Sequence, residues 1–296
     1  MRLATQDERP LVSIVTPSLN QAEFIEDAIR SVLDQEYPNI EYLVVDGGSR
    51  DRTVEILRQH GDNPRWTSGP DDGQSDAINR GFAATSGEII AWLNADDRYV
   101  PDAVRAAVEA FVQDPSLDLV YGQATFIDRA GRSLGSTRYG EAWDARSLVN
   151  RVNFVVQPAA FFRRAAFEAV GGLDIDLHYV MDYDLWIRLG SRGGVRYLPQ
   201  VLAEVRMYPE TKTSSGGLPR FDEMERMIRR HGRRTVPADF EPEILEALTQ
   251  ACGRSIRRGH VGETLGHVQR LVPYGFKVAG RRTVRRLRRS LHGTRF

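Results

Sequence analysis

Residues 93–97, with the sequence LNADD, decide how the fold of this chain is interpreted. They close an apolar run that starts at Glu88, and a helix start led by Pro101 follows them. The pattern predicts a buried strand that carries Asp96 and Asp97 at its carboxyl end, the edge at which open α/β sheets bind ligands. Two carboxylates there suit Mg2+ or Mn2+, which take oxygen ligands and leave positions for phosphate. A solvated loop that caps the next helix is the alternative.

Upstream of this stretch, apolar runs alternate with helical patterns. A first strand at 11–15 is broken at 16–18 by Thr-Pro-Ser, and a helix pattern follows. A second strand at 42–45 leads to a helix that begins near Asp51, and Trp66 marks a third, shorter strand. Because the strands are continuous apolar runs separated by helices, we expect an α/β fold with a mostly parallel sheet and helices on both faces.

Length and composition set the domain organisation. The 296 residues are 41% hydrophobic, enough for one large domain with an appendage. We expect a catalytic domain at 1–219 and a helical extension at 220–296, where apolar residues recur at helical spacing. The lone Cys252 excludes an internal disulfide and fits a reducing compartment.

Charge is unevenly distributed along the chain. Residues 277–296 contain eight basic side chains and no acid, so residues 1–276 carry a net charge of −8. Val284, Leu287 and Leu291 form an apolar stripe among these arginines, which predicts a helix on an anionic membrane surface. Nucleic-acid binding is the rival interpretation, but no such motif accompanies the tail. A solvated C-terminus is the third.

Hydropathy and motifs narrow the function classes. The polar stretch 1–10 lacks the apolar core of a secretory signal, and no run approaches the ~20 apolar residues of a membrane span. We therefore expect a cytoplasmic chain whose contact with the membrane is at most peripheral, on its inner face. The turn after the first strand, residues 16–20 (TPSLN), has no glycine, which disfavours a dinucleotide-binding dehydrogenase. A Walker A lysine motif and a G-x-S-x-G elbow are also absent from the sequence.

Five ordered segments carry a more specific signal. They are VSIVTPSLN at 12–20, VVDGGSRD at 44–51, PDDGQSDAINRG at 70–81, LNADD at 93–97 and MDYDLWIRL at 181–189. Their order and spacing, over roughly residues 10–215, resemble family 2 glycosyltransferases of the GT-A fold. The resemblance implies that fold and the transfer of a sugar from a nucleotide-diphosphate donor.

The resemblance implies a nucleoside pocket built from the first two strand ends. Thr16, Ser18 and Asp46 are expected to contact the nucleoside, and Asp71 the sugar nucleotide. A carboxylate only accepts hydrogen bonds, so Asp46 suits the ring N–H of uracil, thymine or guanine, which indicates a UDP-, dTDP- or GDP-sugar. An Asx-type turn ahead of the helix is the alternative role of Asp46.

Two positions of this pocket depart from the family pattern. Leu19 stands where the family often has an aromatic residue, so ring stacking on the base is in question. Gly47 stands where a second aspartate often follows Asp46.

The family's D-x-D motif corresponds to Asn94-Ala95-Asp96. By resemblance, Asp96 coordinates the cation that bridges the donor diphosphate, and Asp97 shares that role or holds the ribose or sugar. Asn94 replaces the first acid, removes a charge, and is expected to bond a ribose hydroxyl with some loss of metal affinity.

The resemblance makes Asp182 the general base, since the acceptor hydroxyl must lose its proton as it attacks the anomeric carbon. A role as helix N-cap is the structural alternative. With one base and no second carboxylate placed as nucleophile, we expect single displacement with inversion. His178, Tyr179 and 157–159 (QPA) are assigned to the acceptor side.

Two short strands are expected at 196–198 and 202–205. The stretch after residue 205 is expected to meet the leaving group. Arg206 or Lys212 would neutralise the diphosphate, and the Gly- and Ser-rich end near Gly217 suits a loop that closes over the donor. The family frequently has a histidine near Tyr208. A mobile loop without function is the alternative.

The sequence therefore predicts an inverting glycosyltransferase that moves one sugar to a hydroxyl acceptor on a glycan, a lipid-linked substrate or a natural product. The processive Q-x-x-R-W signature is absent from the sequence. A sugar nucleotidyltransferase and a catalytically silent sugar-nucleotide-binding protein are the alternatives.

Overall fold

The computed structural model describes residues 9–136, 141–150, 153–233, 236–237, 240–258, 260 and 262–271. The chain divides into two compact units, and the first passes into the second between Ser215 and Gly216. The predicted division after residue 219 falls inside the helix Gly217–Arg230.

The first unit contains alternating strands and helices up to the LNADD motif and a mixed arrangement after it. In chain order its strands are β1 Val12–Ser18, β2 Ile40–Asp46, β3 Arg65–Ser68, β4 Ile89–Trp92, β5 Arg98–Tyr99, β6 Leu119–Ile127, β7 Ser133–Ser136, β8 Ala160–Arg163 and β9 Val195–Arg206. Its helices are α1 Ile25–Leu33, α2 Thr53–Gln59, α3 Gln74–Ala83, α4 Ala103–Gln113, α5 Ala145–Asn150, α6 Arg164–Ala169, α7 Met181–Gly190 and α8 Lys212–Ser215, with a 3-10 turn at Gln157–Ala159.

These strands form one sheet in the order β3-β2-β1-β4-β8-β6-β9-β5, and β7 pairs with β6. Strands β3, β2, β1 and β4 are parallel neighbours, as are β6 and β9. Antiparallel pairing of β8, β5 and β7 makes the other half of the sheet mixed. The predicted α/β class is confirmed, and the parallel half is the one built from the βαβα pattern.

Two strand boundaries differ from the sequence-based expectation. β1 is not broken at 16–18 but continues to Ser18 alongside β2. Pro17 is tolerated there because β4 pairs with β1 only as far as Val15, and a proline beyond that point removes no ladder bond on this side. The two strands expected at 196–198 and 202–205 are one strand, β9, whose register on β6 shifts where the pattern seemed to break.

Helices cover both faces of the parallel half. α1 buries Ile25, Ala28, Ile29 and Val32, at helical spacing, in the cluster that contains Val12 and Ile14 of β1. On the opposite face, α3 approaches β1 so closely that a Cβ on Gly81 would lie 2.5 Å from Cγ1 and 2.9 Å from Cγ2 of Val15. The glycine sets the distance between α3 and the sheet.

Replacement of Gly81 by alanine is therefore expected to destabilise the protein by about 1–3 kcal/mol, as overpacking of a core does. The gain of roughly 1 kcal/mol in helix propensity is smaller than a clash with the stiff side chain of Val15. Gly266→Ala is the matched control, since a Cβ there meets nothing within 4 Å. Urea unfolding of both variants measures the difference, and equal stability would contradict the packing argument.

The second unit is helical in the described residues. It contains α9 Gly217–Arg230, α10 Glu241–Arg257 and a further helix, α11, at 262–271. Arg270 of α11 is paired with Asp222 of α9 at 2.5 Å. The basic segment 277–296, with its proposed membrane-surface stripe, lies outside the described residues. Among the helices of the described ranges, none has the length and apolarity needed to cross a bilayer.

Candidate active site

The carboxyl ends of three neighbouring parallel strands define the candidate site. Ser18 at the end of β1 is in register with Asp46 at the end of β2. On the other side of β1, β4 ends at Trp92 and leads directly into the LNADD motif. The tertiary structure thus brings the first, second and fourth sequence motifs to one edge of the sheet.

Asp96 and Asp97 lie at this edge and are held by different partners. Tyr208 donates its hydroxyl proton to Asp96 Oδ2 at 2.8 Å. The main-chain N–H of Arg206 donates to Asp97 Oδ1 at 2.9 Å, and Asn94 Nδ2 donates to Asp97 Oδ2 at 3.1 Å. Only 4% of Asp97 is exposed. The end of β9, the residues just after it and the Asn94 side chain of the same turn therefore hold both carboxylates in place.

The pKa values of both acids are raised above the ordinary aspartate value. For Asp96 the main cause is burial, which the hydrogen bond from Tyr208 partly offsets. For Asp97 the pKa lies well above the usual range, because burial is joined by repulsion from the charge of Asp96. The charged forms of both carboxyls are thus disfavoured in the protein alone, which is the electrostatic setting that a bound cation relieves.

The side chain of Arg206 packs against the turn that contains Asp96 and Asp97 and is only 1% exposed. Its guanidinium donates to the carbonyl oxygen of Asp96 at 2.9 Å, to that of Arg129 at 2.9 Å, and to Asp27 Oδ2 at 3.0 Å. It also lies 4.8 Å from the ring centroid of Phe24. The sequence-based expectation offered Arg206 or Lys212 as the cation that neutralises the diphosphate, and in the structure the guanidinium of Arg206 is engaged inside the protein.

Lys212 and Asn94 lie at the same edge as the acid pair. Lys212 is the first residue of α8, so the predicted loop is helical here. Its Nζ donates to Gln74 Oε1 at 2.7 Å and to the carbonyl oxygen of His178 at 2.8 Å. Asn94 bonds Gln74 and Gln157 in addition to Asp97.

The three predicted nucleoside contacts have different surroundings. Thr16 is fully buried, and its hydroxyl is paired with that of Tyr42 at 3.0 Å. Ser18 is 5% exposed, and its Oγ is buried without a hydrogen-bond partner. Leu19 is 54% exposed beside it. An unpaired hydroxyl next to an exposed apolar side chain is suited to a ligand that has both a polar edge and an apolar face.

Asp46 shows the Asx-turn arrangement that was kept as its alternative role. Its Oδ2 accepts hydrogen bonds from the main-chain N–H groups of Gly48 and Ser49, at 3.1 and 3.0 Å, and from Ser68 Oγ at 2.6 Å. Ser49 Oγ bonds the other oxygen. The carboxylate therefore organises the loop between β2 and α2 in the protein alone.

Gly47 leaves room for Asp71. A Cβ on Gly47 would lie 2.6 Å from Asp71 Oδ2, so the carboxylate of Asp71 occupies the space next to the glycine. Asp71 Oδ1 accepts the main-chain N–H of Gly73 at 3.0 Å. The second acid that this chain lacks after Asp46 is thus replaced, in space, by an acid from the third motif.

Asp182 is the second residue of α7, which begins at Met181 with Val180 as its N-cap. The N-cap role considered for Asp182 is therefore wrong. Asn153 Nδ2 donates to Asp182 Oδ2 at 3.3 Å. Four residues later, on the same helix face, the ring of Trp186 stacks on that of Trp92 at a centroid distance of 5.6 Å. This stack ties the helix of the base candidate to the strand that carries the acid pair.

Sequence reasoning missed Tyr208, Gln74 and Gln157 as partners of the acid motif. Gln74 and Gln157 lie 20 and 63 residues from Asn94, and no spacing rule links such positions. For Tyr208 the available signal was its place in the segment where the family frequently carries a histidine.

A divalent cation fits this donor set only together with a substrate. Among the described residues, no group of three or more His, Cys, Asp or Glu side chains is placed to hold a metal ion. Two adjacent acids with raised pKa values are a partial oxygen shell, and Mg2+ or Mn2+ completes such a shell with phosphate and water. Asp96 and Asp97 are the residues that would hold the ion.

Comparison with models of known protein families gives a match that agrees with this geometry. The model of glycosyl transferase family 2 matches residues 13–171, more than half of the chain. The chain belongs to glycosyl transferase family 2. An uncharacterised glycosyltransferase of Rickettsia typhi is 30% identical to this family 2 member over 222 residues, which cover 73% of the chain and 70% of the relative. A chondroitin synthase of Escherichia coli is 28% identical over 201 residues, which cover 67% of the chain but only 29% of the synthase.

Solved structures show the same GT-A fold. S. aureus TarS residues 1–349, in complex with UDP-GlcNAc, matches this family 2 protein with a TM-score of 0.64 at 14% identity, covering 89% of this chain and 81% of that one. The mannosyltransferase PcManGT from Pyrobaculum calidifontis, in complex with GDP-Man and Mn2+, gives a TM-score of 0.58 at 18% identity, covering 93% and 86%. The predicted fold is confirmed.

The raised pKa values predict a pH dependence of stability in the metal-free protein. A carboxyl whose folded pKa exceeds its unfolded value contributes stability that is fully present below the unfolded pKa and is lost as pH rises through the folded pKa. Asp96→Asn removes one of the two charges, so its melting temperature should exceed that of the wild type near pH 8, by about 2–4 °C for each kcal/mol of relief. The difference should shrink towards pH 4.

Thermal melts from pH 4 to 8 in a chelator measure this effect. Asp34→Asn, at an exposed carboxylate, is the control and should show no such trend. A melting-temperature difference that grows as the pH falls would contradict the assignment of Asp96 as a destabilised buried charge.

Proposed function

We propose that this family 2 glycosyltransferase moves a single sugar from a nucleotide-diphosphate donor to a hydroxyl acceptor, with inversion at the anomeric carbon. The observation that carries the proposal is the acid pair Asp96–Asp97, with both pKa values raised, on the strand whose Trp92 stacks on the helix of Asp182. The carboxylates proposed for the cation and the carboxylate proposed as the base are thereby held by packed elements of one sheet and helix. Donor and acceptor can be aligned for reaction only if these groups keep fixed relative positions.

Donor binding is assigned to the edge formed by β1, β2 and β4. Ser18 offers its unpaired hydroxyl, Leu19 an apolar surface for the base, and Asp46 and Asp71 two neighbouring acids. UDP-GlcNAc in the TarS structure and GDP-Man in the PcManGT structure support a UDP- or GDP-linked donor here. A dTDP-linked donor is included because thymine has the same kind of ring N–H for Asp46. A bound divalent cation supplies Lewis-acid neutralisation of the leaving diphosphate.

The last residue of β9 and the residues after it are proposed to assist departure of the diphosphate. Lys212 brings a cation from α8 to the acid motif and is proposed to contact the diphosphate oxygens. Arg206 is proposed to act indirectly, because its guanidinium holds the Asp96 turn and its main-chain N–H orients Asp97. Tyr208 fixes Asp96, the first acid of the pair.

Asp182 is proposed as the general base. Asn153 donates to one of its oxygens and so orients the carboxylate, which can receive the proton of an acceptor hydroxyl as the C–O bond forms. With attack by the acceptor itself and no enzyme-bound sugar, the bond to the diphosphate breaks on the opposite face and the configuration inverts. The proposed acceptor is a hydroxyl group on a glycan, a lipid-linked substrate or a natural product.

Donor binding should depend on both the cation and the acid pair. UDP, GDP and dTDP titrated in thermal-shift assays should raise the melting temperature more with Mn2+ than without it, since ligand binding to the folded state stabilises by mass action. Asp96→Ala should abolish the Mn2+-dependent part. Ser18→Ala should weaken binding with and without Mn2+, by about tenfold at most for one hydrogen bond. Failure of all three nucleotides to bind with Mn2+ would exclude the proposed activity and both alternatives.

Transfer should depend on Asp182 while donor binding does not. Asp182→Asn is expected to lower turnover of the best-binding donor by about 10²- to 10⁴-fold, the usual contribution of a general base. Asp176→Asn, at an exposed position just before α7, is the matched control. Product anomeric configuration by proton NMR tests inversion.

Unchanged turnover in Asp182→Asn would contradict the base assignment. Nucleotide binding without any donor turnover in the wild type would favour the catalytically silent binding protein. Pyrophosphate-dependent release of a nucleoside triphosphate from the donor would favour a sugar nucleotidyltransferase.

A further inference from the structure

A chain of side-chain amides connects the cation on α8 with the acid pair. Lys212 Nζ donates to Gln74 Oε1 at 2.7 Å, and Gln74 Nε2 donates to Asn94 Oδ1 at 2.7 Å. Asn94 Nδ2 then donates to Asp97 Oδ2 at 3.1 Å and to Gln157 Oε1 at 2.9 Å. The four residues of the chain come from α8, α3 and the LNADD motif, and all lie within the first unit.

The two ends of this chain fix its direction. An ammonium group only donates hydrogen bonds and a carboxylate only accepts them. Lys212 therefore requires the oxygen of Gln74 to face it, which turns the nitrogen of Gln74 towards Asn94. Asn94 must in turn present its oxygen to Gln74 and its nitrogen to Asp97. Each amide has one orientation that satisfies both neighbours, so a change at one end is felt at the other.

Gln157 reinforces the same orientation from another side. Its Nε2 donates to the carbonyl oxygen of Trp92 at 2.8 Å, so its Oε1 is the atom left to accept from Asn94. A carboxylate at position 94 would still accept from Gln74 but would have no N–H for Asp97 or for Gln157. An amide, rather than the acid of the full D-x-D motif, is the group that these three neighbours require.

We propose that Gln74 and Asn94 form a positioning relay between Lys212 and Asp97, so that the first position of the acid motif orients Asp97 instead of ligating the cation. The role of this relay rests on the proposed function, in which Lys212 contacts the diphosphate and Asp97 holds the cation. Through the relay, the orientation of Asp97 depends on the position of Lys212. An ammonium group has three donors, so Lys212 can contact a diphosphate oxygen while it still donates to Gln74 and keeps that amide oriented.

The first experiment tests the relay without metal or donor. The side-chain NH2 signals of Asn94 are assigned in 15N-labelled protein by comparison with Asn94→Ser. Gln74→Met and Lys212→Met are each expected to shift them, while Gln123→Met is not. Gln123 is the matched control because it is a half-buried glutamine whose amide bonds Tyr197 instead. Lys212→Met is the decisive variant because Lys212 reaches Asn94 only through Gln74, and unshifted Asn94 signals in Lys212→Met would overturn the proposal.

The second experiment measures Mn2+ affinity by electron paramagnetic resonance, with whichever of UDP, GDP and dTDP binds best. Gln74→Met, at a residue assigned no contact with the ion, is expected to weaken Mn2+ binding about tenfold, as loss of a partner that orients a metal ligand does. In the double variant Gln74→Met/Lys212→Met, the loss of Mn2+ binding free energy should be smaller than the sum of the losses in the two single variants, because both substitutions break the same hydrogen-bonded chain. Full additivity, or unchanged affinity in Gln74→Met, would overturn the relay.

The two experiments separate failure of the relay from failure of the proposed function. A wild type that shows no Mn2+ binding with any nucleotide would refute the metal-dependent mechanism, and the metal-free NMR comparison would still decide the relay. Wild-type Mn2+ binding with unshifted Asn94 signals would leave the mechanism standing and refute the relay. Equal melting temperatures of Gln74→Met and Gln123→Met would show that a weaker Mn2+ affinity does not come from loss of folding.

Discussion

The burial of two adjacent carboxylates, Asp96 and Asp97, is the constraint on which the rest of the structure depends. Placing like charges side by side in a protein interior is unfavourable, and the raised pKa values of both acids express that cost. The surrounding groups reduce it with directed donors: a main-chain N–H and a guanidinium from Arg206, a hydroxyl from Tyr208 and an amide from Asn94. A cation shared with a diphosphate would complete the compensation.

This constraint explains why the segment after β9 belongs to the site. Arg206 ends the long strand β9, which pairs along its length with β6. The strand thus delivers Arg206 and Tyr208 to the acid pair from the opposite half of the sheet, and the turn into α8 delivers Lys212. The guanidinium of Arg206 is engaged in hydrogen bonds within the protein, and Lys212 is therefore the residue proposed to contact the leaving diphosphate.

Much of the parallel half and of the motif positions was predictable. Strands β1, β2 and β4 are apolar runs with polar ends, and their carboxyl ends must meet if the strands are parallel. Asp96 was therefore expected at this edge from the local pattern, whereas Ser18 and Asp46 were assigned to the site by the resemblance to family 2 glycosyltransferases. The course of β9 was not, because Pro199 interrupts its pattern and only a register shift against β6 keeps it a single strand. The Asx turn of Asp46 was foreseeable from its glycines, whereas the use of Gly47 as space for Asp71 was not.

The sequence by itself determined which acidic, amide and cationic side chains the protein has and which of them follow the end of a strand. Local periodicity and turn composition carry that information because each depends on neighbouring residues. Only the tertiary structure decided the partners. The resemblance assigns Asn94 to a ribose hydroxyl with some loss of metal affinity, whereas in the fold its side chain bonds Gln74, Gln157 and Asp97, whose donor and acceptor atoms require an amide between them. Hydrogen bonds between residues 20 to 112 positions apart follow from packing, and no sequence spacing encodes them.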